Sequence, residues 1–441
     1  MIIGGGPLFC GGLENRTLPD GGLRIQEGLV QEVAPFGDLL LRYPKEESYD
    51  TEGKVIIPGM TCAHHHLYST FARGISLSGE APARFGEILE RLWWKLDKAL
   101  TLEDVYVSAL VPLIECIRSG TTAILDHHAS PGAISGSLQA IARAVKETGL
   151  RACLCYEVSD RDGPRATQEG LEENASFIAA TRREDSPYLR ATFGLHASLT
   201  LSNQTLERAQ ELAETLESGF HIHAAEGVED VEDSLRRYGK RVIERLDDFG
   251  ILGPRTLAAH CIHLEERELD LLAQTATMVA HNPSSNMNNA VGYAAIPAMI
   301  QRGILVGLGT DGMSSDLFAE LRLAFLLEKH ATGDPRQGWG DISTFYLANN
   351  PRIFARFFPQ PVGILTPGGY ADLVVLDYSP PTPLDKDTFL GHLFFALSAR
   401  HVDSTVVGGR FLMKERKLLT LDEREIAARS RELARKLWKR L

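Results

Sequence analysis

Pro58-Gly59-Met60-Thr61-Cys62-Ala63-His64-His65-His66 is the stretch on which the fold turns. The apolar run Val55-Ile56-Ile57 before it breaks at Pro58-Gly59, and Gly59 to His66 reads as a short strand ending in three imidazoles. Side chains alternate along a strand, so His64 and His66 point to one side and His65 to the other. A same-face pair can grip one ion, but a lone His-x-His is a weak signal. Its meaning depends on what the rest of the chain brings beside it.

Between Pro58 and about Pro359, short apolar runs alternate with helical patterns such as Gly136 to Thr148 and Leu201 to Glu217, as in βα units on a parallel sheet. Eight strands are expected: Gly59 to His66, Thr121 to His127, Arg151 to Glu157, Ala191 to His196, Phe220 to Glu226, Leu257 to His263, Met278 to His281 and Ile304 to Asp311. Eight is the number that closes a (β/α)8 barrel. The runs end in ionisable residues: His64 and His66, Asp126, Glu157, His196, His223 and Glu226, His260, His281, and Asp311. In such barrels the active site lies where the strands' C-terminal ends meet the following loops, so these residues are expected at one mouth.

The ends of the chain read as β structure. Leu23 to Gln26, a turn at Glu27-Gly28 and Leu29 to Val33 form one hairpin, Ala371 to Asp377 forms a strand, and Val406 to Leu412 forms another hairpin. With 441 residues the chain exceeds one ordinary core, so the expectation is a small composite β domain around the barrel. Residues 1–58 supply its N-terminal part, 59–359 the catalytic barrel, and 360–441 its C-terminal part plus a terminal helix. In the basic stretch Arg424 to Arg440, Ile426, Leu433 and Leu437 fall near helical spacing, with Thr420 and Glu423 placed as a capping box.

A net charge of -12 argues against a sequence-independent nucleic-acid binder. No apolar run reaches the roughly 18 residues of a membrane span. The first residues lack the charged start and apolar run of a signal peptide. The six scattered cysteines read as reduced structural thiols, Cys153 and Cys155 sharing one strand face. A cytoplasmic protein is expected, with no membrane or nucleic-acid partner.

His221 and His223 repeat the His-x-His spacing on the fifth strand, and Asp311 ends the eighth. Imidazoles plus one carboxylate suit a borderline divalent ion, so His64, His66, His223 and Asp311 are the expected ligands of one metal, zinc ahead of iron or manganese. Glu226, three residues past His223, stands where a proton shuttle is needed. His260 is placed either to orient water or substrate or to support the ligands from behind.

These motifs carry a resemblance. Pro58 to His66 resembles the opening motif of the amidohydrolase superfamily, in its cytosine-deaminase and triazine-hydrolase-like (ATZ/TRZ) branch. His221-Ile222-His223-Ala224-Ala225-Glu226, Ala259-His260-Cys261-Ile262-His263, His281-Asn282-Pro283-Ser284-Ser285-Asn286 and Leu308-Gly309-Thr310-Asp311-Gly312 are similar to its later motifs, in order. Pro367 to Leu373 is similar to its composite β domain. The resemblance implies the same four ligands, Asp311 as proton acceptor as well, and Glu226 and His260 as catalytic partners. Two-metal members use a fourth-strand lysine; between Lys98 and Lys240 the only lysine is Lys146, in a helical pattern, so one metal is implied.

Asp126 to Gly132, Tyr156 to Gly163 and Asn286 to Gly292 resemble the SsnA-type aminohydrolases, found with bacterial selenium and purine catabolism genes, which implies a purine-derived heterocycle as substrate. Asn288-Asn289 stands where many deaminase relatives have a lysine-containing stretch. Substrate contacts are expected from His196, His128, Trp93 and Asn286. The segment Leu67 to Thr101, with Tyr68, Arg73, Phe85, Trp93 and Trp94, is either a lid over a flat ring or a helix against the barrel wall.

Three readings follow from sequence. The first is a mononuclear aminohydrolase of a purine-like ring. The second is a ring-opening cyclic amide or amidine hydrolase, and the third a non-catalytic assembly or regulatory subunit. Relatives imply a homodimer or larger homo-oligomer.

Overall fold

The computed structural model describes residues 1–76 and 79–441. Two parallel sheets form the barrel. One holds Met60–His65, Thr121–His128, Arg151–Tyr156 and the short Leu189–Ala191; the other holds Phe193–Ala197, Phe220–Ala224, Leu257–His260, Met278–His281 and Val306–Leu308. Single bridges join them on both sides, Val158 to Leu195 and His65 to Asp311, so eight strand positions close into a ring. Every residue of these strands outside Leu189–Ala191 is buried, as expected where helices cover the outside and side chains fill the inside.

The expected fourth strand, Ala191 to His196, is split at Thr192. Leu189–Ala191 pairs with the third strand, and Phe193–Ala197 pairs with the fifth. The expected eighth strand, Ile304 to Asp311, is regular only over Val306–Leu308, because Asp311 turns to a φ of 53°. At that turn Thr310 and Asp311 both donate backbone N–H groups to the His64 carbonyl at 3.0 Å.

A nine-stranded sheet collects both ends of the chain, with Leu373–Leu376 and Val55–Pro58 paired antiparallel at its centre. Its strand Ile2–Phe9 is absent from the sequence reading. Gly4-Gly5-Gly6 erases the alternating pattern, the register shifts twice along it, and a Cβ on Gly4 would meet Phe36 and the Gly21 backbone within 2.7 Å. The terminal helix is Glu423–Leu437, but the expected capping box is not formed: Asp422 caps it instead, accepting from the Arg424 and Glu425 amides. Among the described residues, no helix is long and apolar enough to cross a membrane.

One buried ion pair ties the β sheet to the barrel. Arg151, opening the third barrel strand, donates from Nε and Nη2 to the two Asp372 carboxylate oxygens, each at 2.9 Å, with both side chains fully buried. Tyr370 stacks on the guanidinium at 3.6 Å, and the Gly408 amide donates to Asp372. Removing one partner leaves the other as an uncompensated buried charge. Asp372→Ala is therefore expected to lower unfolding free energy by about 3–5 kcal/mol, read from the shift in urea midpoint.

Candidate metal centre and active site

His64 and His66 leave the first strand side by side, ring centroids 4.8 Å apart, while His65 turns away to Ser315. His66 Nε2 lies 3.1 Å from His223 Nε2 and 3.0 Å from Asp311 Oδ1, and His64 Nε2 lies 3.6 Å from the same oxygen. The four expected ligands thus come together from strands one, five and eight.

Tautomers test whether a cation fits. His66 Nδ1 donates to the His127 carbonyl at 2.5 Å, and His223 Nδ1 donates to the His196 carbonyl at 3.1 Å. In the neutral rings both Nε2 atoms then carry lone pairs, which face each other with no proton between them. His64 Nε2 is buried and has no hydrogen-bond partner among the described residues. His221 Nε2, 2.8 Å from His64 Nδ1, fixes that ring. Three inward lone pairs beside a carboxylate fit a divalent metal.

The residues expected to transfer protons adjoin this set. His260 Nε2 is 3.5 Å from Glu226 Oε2 and 3.7 Å from Asp311 Oδ2, and His260 Nδ1 lies 2.8 Å from Asn286 Oδ1. Ser285 donates to Asp311 Oδ2 at 2.5 Å, and Asn289 Nδ2 donates to Glu226 Oε1 at 3.2 Å and to Ser285 Oγ at 3.3 Å. Burial pushes the Glu226 carboxyl up to about 7, against the pull of His260. Burial acts in the same sense on Asp311, but a charged His66 beside it outweighs it and holds that carboxyl well below the usual range, a pull that a cation held by the neutral rings would supply in its place. Two carboxyls driven apart in this way suit an acid and a base.

Ala225, His260, Cys261 and Asp311 all adopt positive φ, between 48° and 72°, at the points where strands five, six and eight end. Such strain in non-glycine residues gathers where a site demands it.

The model of the amidohydrolase family matches residues 55–412. The chain belongs to that family. This amidohydrolase is 33% identical to a 5-methylthioadenosine/S-adenosylhomocysteine deaminase of Syntrophomonas wolfei, the match covering 96% of each chain. It is 31% identical to a 5'-deoxyadenosine deaminase of Methanobrevibacter smithii, over 95% of this chain and 99% of that one. An adenosine deaminase from Xanthomonas campestris, solved with bound zinc, superposes with a TM-score of 0.88 at 24% identity, covering 100% of this chain and 98% of the other. The amidohydrolase is a hydrolase acting on carbon–nitrogen bonds.

The cavity at the expected ligands is lined by His66, His223, Glu226 and Asp311 and by the apolar Phe85, Leu89, Trp93 and Trp94. The segment proposed as lid or wall thus reaches the cavity, although its Leu77 and Ser78 lie outside the described residues and Arg73 turns away to Glu115. Trp93 and His196 line the cavity. His128 and Asn286 do not. His128 Nε2 lies 2.9 Å from Ser130 Oγ, and its ring packs edge-on against Tyr68 and Tyr156, because strand alternation turns its neighbour His127 inward instead. Asn286 is fully buried behind His260.

The ionisable cavity residues Asp97, Glu157 and Asp230 carried no catalytic or binding assignment in sequence. Glu157 was visible only as a strand end, and Asp97, paired with Arg161 at 2.7 Å, lay in the segment read as either lid or wall helix. Asn289 was visible as a departure from related sequences, but its bond to Glu226 was not.

Because His221 fixes the His64 ring, His221→Phe is expected to weaken metal affinity about 10–100-fold without removing a ligand, measured by competition with a fluorescent chelator.

Proposed function

We propose that this amidohydrolase is a mononuclear aminohydrolase that removes an exocyclic amine, as ammonia, from a purine-like heterocycle. The observation that carries the reading is the placement of two carboxyls, Glu226 and Asp311, at 3.5 and 3.7 Å from His260 Nε2 beside the proposed metal-ligand set. The names of the 31–33% identical relatives, all adenosine-type deaminases, support it. His64, His66, His223 and Asp311 would hold one borderline divalent ion, zinc ahead of iron or manganese, the set being three imidazoles and one carboxylate. When bound, such an ion supplies acidification of water toward neutral pH.

The chain's own residues do the rest. Phe85, Trp93 and Trp94 hold the flat ring over the ligand set. Asp311, kept ionised by its imidazoles and oriented by Ser285, takes a proton from the attacking water as its oxygen adds to the carbon bearing the amine. Glu226, protonated to near neutrality by its burial, gives its proton to the adjacent ring nitrogen, and His260 hydrogen-bonds the incoming oxygen. Transfer of the Asp311 proton to the amine and of the hydroxyl proton to Glu226 expel ammonia, leave a carbonyl beside a ring N–H, and restore both carboxyls.

Incubation with adenosine-type and other aminopurines is expected to release ammonia with retention of purine ultraviolet absorbance. Bleached absorbance with little ammonia would favour ring opening. Glu226→Gln is expected to lower kcat by about 10²–10⁴-fold with metal content unchanged.

A further inference from the structure

Glu226 is buried where the fifth strand ends, and its side chain makes one hydrogen bond among the described residues. The donor is Asn289, whose Nδ2 lies 3.2 Å from Glu226 Oε1. His260 Nε2, at 3.5 Å from Oε2, stands beyond a well-formed hydrogen bond. A glutamate side chain is rich in rotamers, so the proposed acid would be free to swing without that amide.

Local chain geometry explains why the amide reaches it. Pro283–Asn288 is a short helix that Asn289 terminates, and the backbone N–H of Asn289 donates to the Ser285 carbonyl at 2.8 Å. Residues four apart share a helix face, which also sets Asn289 Nδ2 3.3 Å from Ser285 Oγ. From the other side Asn288 Nδ2 donates to Asn289 Oδ1 at 3.0 Å. Glu320 ties down the start of the helix: it is buried, and its Oε1 accepts from the Ser284 backbone N–H at 2.9 Å. Asn289 is therefore a half-buried group on a fixed frame at the cavity wall.

The type of side chain fits the task. A primary amide offers N–H to a carboxylate and C=O to a carboxylic acid, so it can hold Glu226 in both forms of a proton-transfer cycle. A cation in its place would favour the carboxylate alone.

We propose that Asn289 is a positioning residue: it holds Glu226 at the angle from which that carboxyl meets the ring nitrogen, and it acts on the reaction only through Glu226. The inference rests on the aminohydrolase reading and adds the residue that aims its acid.

The test follows ammonia release by the metal-loaded enzyme on the aminopurine that the wild type turns over fastest. Asn289→Ala and Asn289→Leu, the second keeping the volume without the amide, are each expected to lower kcat about 10- to 100-fold, as misplacing a reacting group by about 1 Å does, with KM within about twofold and metal content and Tm unchanged. In a Glu226→Gln background the same changes are expected to cost less than about threefold, because the group that Asn289 aims is already disabled. Crystals of N289L are expected to show Glu226 in more than one rotamer.

Equal losses in both backgrounds would mean that Asn289 acts apart from Glu226 and would overturn the proposal. So would a raised KM at unchanged kcat, which marks a substrate contact, loss of metal, which marks a route through Ser285 and Asp311, or a single unchanged Glu226 rotamer in N289L. Each of these leaves ammonia release by the wild type intact and sinks this proposal alone. No ammonia from the wild type on any aminopurine sinks the aminohydrolase reading, and this one with it.

Discussion

The barrel's two sheets meet at two seams, and three of the four proposed metal ligands, His64, His66 and Asp311, flank one of them. Strands one and eight meet where the His64 carbonyl accepts from both the Thr310 and Asp311 amides, with His65 and Asp311 bridged beside it. That closure forces Asp311 to a φ of 53°, which lifts its carboxylate off the strand line and to within 3.0 Å of His66 Nε2. Without the seam the first-strand imidazoles and the last-strand carboxylate would belong to two open sheets. Shape and chemistry are therefore one constraint here, and the cost of the strained backbone is met by the surrounding barrel.

The same economy runs round the mouth. His66 donates to the carbonyl of His127, His127 to that of His221, and His223 to that of His196. Each strand's backbone fixes the tautomer of an imidazole on another strand. The rings are thereby committed before any ligand arrives, as preorganised sites require. His260 follows a different rule, held by the Asn286 side chain, and the helix after strand seven also carries the Ser285 link to Asp311.

Much of this was legible in sequence because short apolar runs separated by helical patterns read as parallel barrel strands, and the ionisable residues that end them then fall at one mouth. The eight strand positions and the convergence of His64, His66, His223 and Asp311 follow from that pattern. Parity was not legible. Two adjacent histidines end the second strand, and only packing decides that His127 faces the barrel while His128 faces Tyr68 and Tyr156. Asn286 sits in the right motif, yet it acts behind His260 because a helix, not a strand, carries it. Ile2–Phe9 escaped notice since three glycines hide a bulged strand, and Asp97 escaped because its ion pair with Arg161 is 64 residues distant in the chain.

The central claim is that His64, His66, His223 and Asp311 converge to hold one divalent ion. X-ray absorption at the metal edge, combined with metal content of protein purified without chelators, tests it most directly. The account predicts one ion per chain with a nitrogen and oxygen shell at about 2.0–2.2 Å, multiple-scattering features of three imidazoles, and no sulfur. Two ions per chain, or a sulfur neighbour at about 2.3 Å, would contradict it.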